Sequence, residues 1–72
     1  YEKALRILTT GVQEYPNSGE MWGNLAFCNY KLQKHDEALA AADKARSLLP
    51  NVATNDLYNK ILNNEALSLP TQ

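Results

Sequence analysis

Displaced by 34 residues, the sequence pairs Ala4 with Ala38, Leu5 with Leu39, Pro16 with Pro50 and Asn17 with Asn51, and sets the acids Glu2 and Asp36 against each other. A period of that length makes each copy one supersecondary unit, too small to bury its apolar face alone and stacked on its neighbours. The kinds of residue that coincide sharpen the point. A small side chain recurs inside an apolar-periodic segment, and a Pro-Asn pair recurs at its end.

Both copies have the spacing of a helix. In "YEKALRILTTGVQEYP", Ala4, Leu5, Leu8, Val12 and Tyr15 form one stripe, and in "DEALAAADKARSLLP" Ala38, Leu39, Ala42, Ala45, Leu48 and Leu49 form another, following the i, i+3, i+4 rule. Pro16 and Pro50 should stop these helices, because Pro lacks an N–H and keeps its predecessor out of the helical region. Asn17-Ser18 offers a cap for the next helix, with Glu20 in its first turn, where a negative charge meets the positive end of the helix dipole. That next helix is "WGNLAFCNYKL", with Trp22, Leu25, Ala26 and either Asn29 or Tyr30 on one side.

Residues 19–52 now resemble one complete tetratricopeptide repeat, a helix–turn–helix unit of this period. Trp22, Leu25, Ala26, Ala38, Ala45 and Pro50 carry the resemblance, and residues 1–18 resemble the second helix of a preceding repeat, with Ala4 and Pro16 in phase. The departures are local. The Gly usual in the interhelix turn is replaced around Gln33-Lys34, and His35 stands where Tyr is common. Gly11 replaces the small Ala of the first copy, and Asn29 takes a place often aromatic, leaving Tyr30 to fill that packing role. A last helix is expected over 53–69, capped by Thr54 or Asn55, with Leu57, Tyr58, Ile61, Leu62, Ala66 and Leu69 as its apolar face. It is out of strict phase and resembles the extra helix that closes a repeat array. The expected organisation is all-α with about four helices. A truncated repeat helix (1–16), a full repeat (17–52), a capping helix (53–69) and a tail (70–72) follow one another, and the resemblance implies a right-handed superhelical solenoid.

Charge and motif content narrow the function. The net charge is −1, with seven basic residues interleaved among eight acids, so no basic face is gathered for nucleic acid. No apolar run reaches the roughly 18–20 residues that span a bilayer, so membrane insertion is not expected. One cysteine forms no internal disulfide and sets no metal spacing. Cys28, mid-helix beside Leu25 and Phe27, reads as a buried small residue, since reactivity needs a cation or helix N-terminus beside the thiol. His35-Asp36 reads as a turn residue and a helix cap, without a partner that would make His35 a base. Lys44 and Arg46 read as a solvated face. Neither a phosphate-binding loop nor a metal motif occurs, so no enzyme activity and no cofactor is expected. The chain opens on "YEKALRIL", already amphipathic and without Met or cap, which points to a piece of a longer protein.

Trp22 is expected to fill the gap between the two helices of its repeat. The family resemblance implies that the opposite face of the same helix lines a concave groove for partner peptides. Glu20, Asn24, Phe27, Tyr30 and Lys31 are the groove candidates, with packing of Phe27 against a neighbouring helix as the alternative. Family members that clamp a terminal carboxylate use Lys, Asn and Arg from several repeats. Asn24 fits one such position, but Phe27 occupies another and the last helix lacks a Lys–Arg pair. The expected function is therefore a non-catalytic protein- or peptide-binding scaffold. Two alternatives stand beside it: self-association, as a homodimer through an uncovered first helix exposing Ile7, Leu8 or Val12, and a docking arm of an enzyme.

Overall fold

Both proline stops act where the sequence puts them. In the computed structural model, which describes residues 1–64, four helices follow in order: α1 (Glu2–Glu14), α2 (Gly19–Lys31), α3 (His35–Leu48) and α4 (Val52–Leu62). Tyr15, ahead of Pro16, leaves the helical region at φ −128°, and Leu49, ahead of Pro50, does so at φ −138°, as the steric clash with a following proline ring requires. Each still donates its N–H back into its helix, to Gly11 and Ala45 respectively.

Ser18 caps α2, its hydroxyl accepting from the Met21 N–H at 3.3 Å. The other end of α2 closes without the family's glycine. Gln33 adopts a left-handed φ of 63°, while the Lys34 N–H reaches the Asn29 carbonyl at 2.8 Å and the Gln33 N–H that of Tyr30 at 3.0 Å. That pair of bonds is a Schellman closure, which satisfies carbonyls the helix end would otherwise leave open. Closing at Lys34 makes this residue the N-cap of α3, without a side-chain cap. His35 and Asp36 therefore lie inside the helix, correcting their expected roles as turn and cap.

The cap of α4 also differs from expectation. It is Asn51, one turn earlier than Thr54 or Asn55. Asn51 is extended after Pro50 and accepts from the Thr54 N–H at 2.8 Å, while the Thr54 hydroxyl takes the Asn51 N–H at 3.1 Å. This reciprocal capping box satisfies two open donors at once. The helix ends at Leu62, short of the expected 69, because Asn64 turns left-handed at φ 57°, a conformation that Asn tolerates better than most residues. Ala66, Leu69 and the tail 70–72 lie outside the described residues.

Helix α2 packs most extensively on α3, with α4 on α3 and α1 on α2 alone. The α2–α3 seam is built from alanines: Ala26, Ala38, Ala42 and Ala45 have no exposed surface. Small side chains let the backbones approach closely, and Gly19 marks the tightest point. A Cβ there would stand 2.6 Å from Leu49 Cβ and 3.1 Å from the Leu49 backbone nitrogen.

Several apolar residues sit away from their expected places. Ala41, outside the stripe read from the sequence, is buried, whereas Leu49 is 41% exposed. In α1 only Val12 is buried, Leu5 and Leu8 are half-buried, and Ala4 and Tyr15 are exposed. Trp22 packs against the core but stays half-buried, its indole N–H donating to the Pro16 carbonyl at 2.8 Å. It thus ties α2 to the turn that precedes it. Arg46 is no bystander of a solvated face, because its guanidinium lies 3.9 Å from the centre of the Tyr58 ring. Its Nε also donates to Asp43 at 2.9 Å. Lys44 is exposed, and Cys28 is buried as a free thiol.

Candidate functional site

The first turn of α2 brings Glu20 to the surface, and helical spacing then sets Asn24 and Phe27 along the same face. Across from them runs α4, whose start is fixed by the Asn51–Thr54 box. Between the two helices lies a groove of about 480 Å³. Glu20, Asn24 and Phe27 line it from α2, and Asp56, Leu57 and Lys60 from α4. Its floor is small, since Gly23 has only ordinary contacts of 3.9 Å to Ala45 and Leu57 where a Cβ would stand.

The groove mixes apolar and charged surface. Phe27 is half-buried. Its ring lies 6.0 Å from that of Tyr1, tilted by 58°, and the Lys31 ammonium stands 5.4 Å from the ring centre. Phe27 thus stands beside Tyr1, the residue that precedes α1, and also lines the groove. Lys60 pairs with Asp56 at 3.2 Å, whereas Glu20 has no ion-pair partner among the described residues. Glu20 lies in the first turn of α2, where the helix dipole stabilises its negative charge.

The five candidates are not brought together as one site. Tyr30 and Lys31 line a different depression, with His35, Asn63 and Asn64. There Tyr30 donates its hydroxyl to Asn64 Oδ1 at 3.1 Å, and His35 Nε2 lies 2.7 Å from the Ile61 carbonyl. That carbonyl also accepts the Asn64 N–H at 3.0 Å. With the Nε2–H tautomer, His35 donates to it as well, fastening the end of α4 to the start of α3. Tyr30 is thus a strut between α2 and the turn after α4, and Lys31, through Phe27, links the two depressions. Asn29 is buried, with Tyr30 half-buried beside it.

Sequence reasoning missed the α4 wall of the groove. The Asp56–Lys60 spacing of four residues was visible as an i, i+4 pair, but its position opposite Glu20 and Asn24 depends on how α4 sits on α3. Among the described residues, no three His, Cys, Asp or Glu side chains come together as a metal site, and no helix is long and apolar enough to cross a membrane.

A helix–turn–helix repeat with an alanine seam, a proline stop after its second helix and a groove lined by its first helix defines a class of repeat scaffold. The family model for the tetratricopeptide repeat matches residues 1–61. The chain belongs to that family. No curated protein and no solved structure matches it. Tetratricopeptide repeats generally mediate protein–protein interaction, and the family is typically a non-catalytic scaffold.

Proposed function

We propose that the chain is a non-catalytic scaffold segment that holds a stretch of a protein partner in the α2/α4 groove. One observation carries this reading: Glu20, Asn24 and Phe27 face Asp56, Leu57 and Lys60 across one open groove. Phe27 and Leu57 supply apolar contact, and Asn24 supplies a donor and an acceptor for a peptide backbone. Glu20 adds an unpaired carboxylate. The partner segment this favours has an apolar anchor and a basic side chain next to it.

A peptide selected on the chain from a random display library tests the assignment by calorimetry. Asn24→Ala, at an exposed position, should weaken its binding several-fold and leave the unfolding midpoint unchanged. Phe27→Ala should weaken it by about tenfold or more, equivalent to about 1.4 kcal/mol. Its half-buried ring adds a modest loss of stability. Unchanged affinity in both variants would overturn the groove assignment.

A second reading rests on its own observation. Ile7 is 66% exposed on α1, with half-buried Leu8 and Gly11 on the same side, so we infer that α1 also supports self-association. Sedimentation equilibrium should then show a mass that rises with concentration, and a strict monomer throughout would contradict it.

A further inference from the structure

All three glycines of the chain lie in helices, Gly11 in α1 and Gly19 and Gly23 in α2, where glycine is a poorer helix former than any residue but proline. None of them has a positive φ, so backbone conformation requires none of them. Packing accounts for two. A Cβ at Gly19 would stand 2.6 Å from Leu49 Cβ, and one at Gly11 would stand 3.1 Å from the Met21 sulfur. At Gly23 a Cβ would meet only Ala45 Cβ and Leu57 Cδ2, both at 3.9 Å, which is ordinary van der Waals contact. Alanine would fit there without moving a neighbour. A glycine that the fold does not need, at the floor of an open groove, keeps room for something that approaches from outside.

The surroundings define what that is. Gly23 follows Glu20 by three residues and precedes Phe27 by four, so the three share one face of α2. The half-buried rings and branches of Phe27 and Leu57 bound the bare backbone at Gly23 within the same groove. Without a Cβ the recess is deeper by about 1.5 Å, the length of one carbon–carbon bond. Two acids and one lysine line the groove, and that lysine, Lys60, is held by Asp56 at 3.2 Å. The unbalanced charge is therefore that of Glu20, about one helical turn from Gly23. In an extended segment, side chains two residues apart lie on one face at a spacing of about 6.8 Å, which suits the two positions.

The geometry points to Gly23 as the seat of the partner's anchor: a large apolar side chain of an extended protein segment packs on the bare Gly23 backbone between Phe27 and Leu57, with a lysine or arginine two residues away paired to Glu20. This rests on the α2/α4 groove reading above and names what that groove selects.

Gly23→Ala separates a binding role from a structural one, because the two predict opposite signs. The variant should raise the thermal unfolding midpoint by about 4–8 °C, through the better helix propensity of alanine. It should nevertheless weaken binding of a display-selected peptide, measured by calorimetry, by about tenfold, the effect of one surplus methyl group in an apolar pocket. Selected peptides should share a large apolar residue with Lys or Arg two positions away. Shortening that anchor to alanine should cost the native chain about tenfold or more. The same change should cost Gly23→Ala about threefold or less, because anchor and seat are coupled. A midpoint that does not rise, selected peptides without this pattern, or equal anchor losses in the two chains overturns the seat. So does unchanged affinity in Gly23→Ala where Asn24→Ala and Phe27→Ala weaken binding, a result that leaves the groove standing. Unchanged affinity in all three variants overturns the groove reading and the seat with it.

Discussion

Gln33 does the work of a glycine. Its φ of 63° lies where a side chain crowds the backbone, at a cost of roughly 1–2 kcal/mol for an ordinary residue. Gln33→Gly should relieve that strain and, after glycine's greater loss of chain entropy, stabilise the fold by about 0.5–1 kcal/mol. The opposite sign belongs to Gly19. Its missing Cβ leaves room for Leu49, and the backbone atoms around it have no freedom to retreat. Gly19→Ala should therefore destabilise by about 1–3 kcal/mol. Urea unfolding of both variants checks the pair of signs. The turn at Gln33 was legible in the sequence as a missing glycine. The tight spot at Gly19 was not, because the close neighbour is Leu49, thirty residues along the chain, and only the α2–α3 packing brings them together.

Among the elements, the helices whose ends are written in proline were the most legible. Helices α1 and α3 stop one residue before the residue preceding Pro16 and Pro50, and Ser18 caps α2 as its position suggested. Helix α4 was read less well at both ends. Its cap depends on a reciprocal pair in which Thr54 looks equally plausible as cap or partner. Its early stop depends on Asn64 adopting φ 57°, a choice helped by the bond from Tyr30 across the fold. Thr54 is the hinge of this arrangement. Its hydroxyl also lies 2.6 Å from the Leu49 carbonyl, so it joins the end of α3 to the start of α4. Thr54→Ala removes the box and leaves that carbonyl and the Asn51 N–H without this partner, for a loss of about 1–2 kcal/mol. Hydrogen exchange should show the loss first at the N-terminal amides of α4. Unchanged protection there would mean that the box does not hold the helix in place.

At the scale of the whole molecule, periodicity and composition sufficed for the repeat class, because the helix stripes, the small-residue seam and the proline stops are all properties of local sequence. The candidate groove was only half legible for the same reason. Its α2 wall follows from helical spacing, but Asp56, Leu57 and Lys60 join it only once α4 has docked on α3. The split of Tyr30 and Lys31 away from Asn24 likewise needs the actual rotation of α2, in which Asn29 turns inward. The central claim is that a partner segment lies between α2 and α4. Amide shift mapping by NMR, with a display-selected peptide titrated into isotopically labelled chain, tests it most directly. The account predicts the largest shifts at Glu20, Asn24, Phe27, Leu57 and Lys60. Shifts confined to the opposite side, at Leu5, Thr9, Glu37, Ala40 and Lys44, which line the depression between α1 and α3, would contradict it.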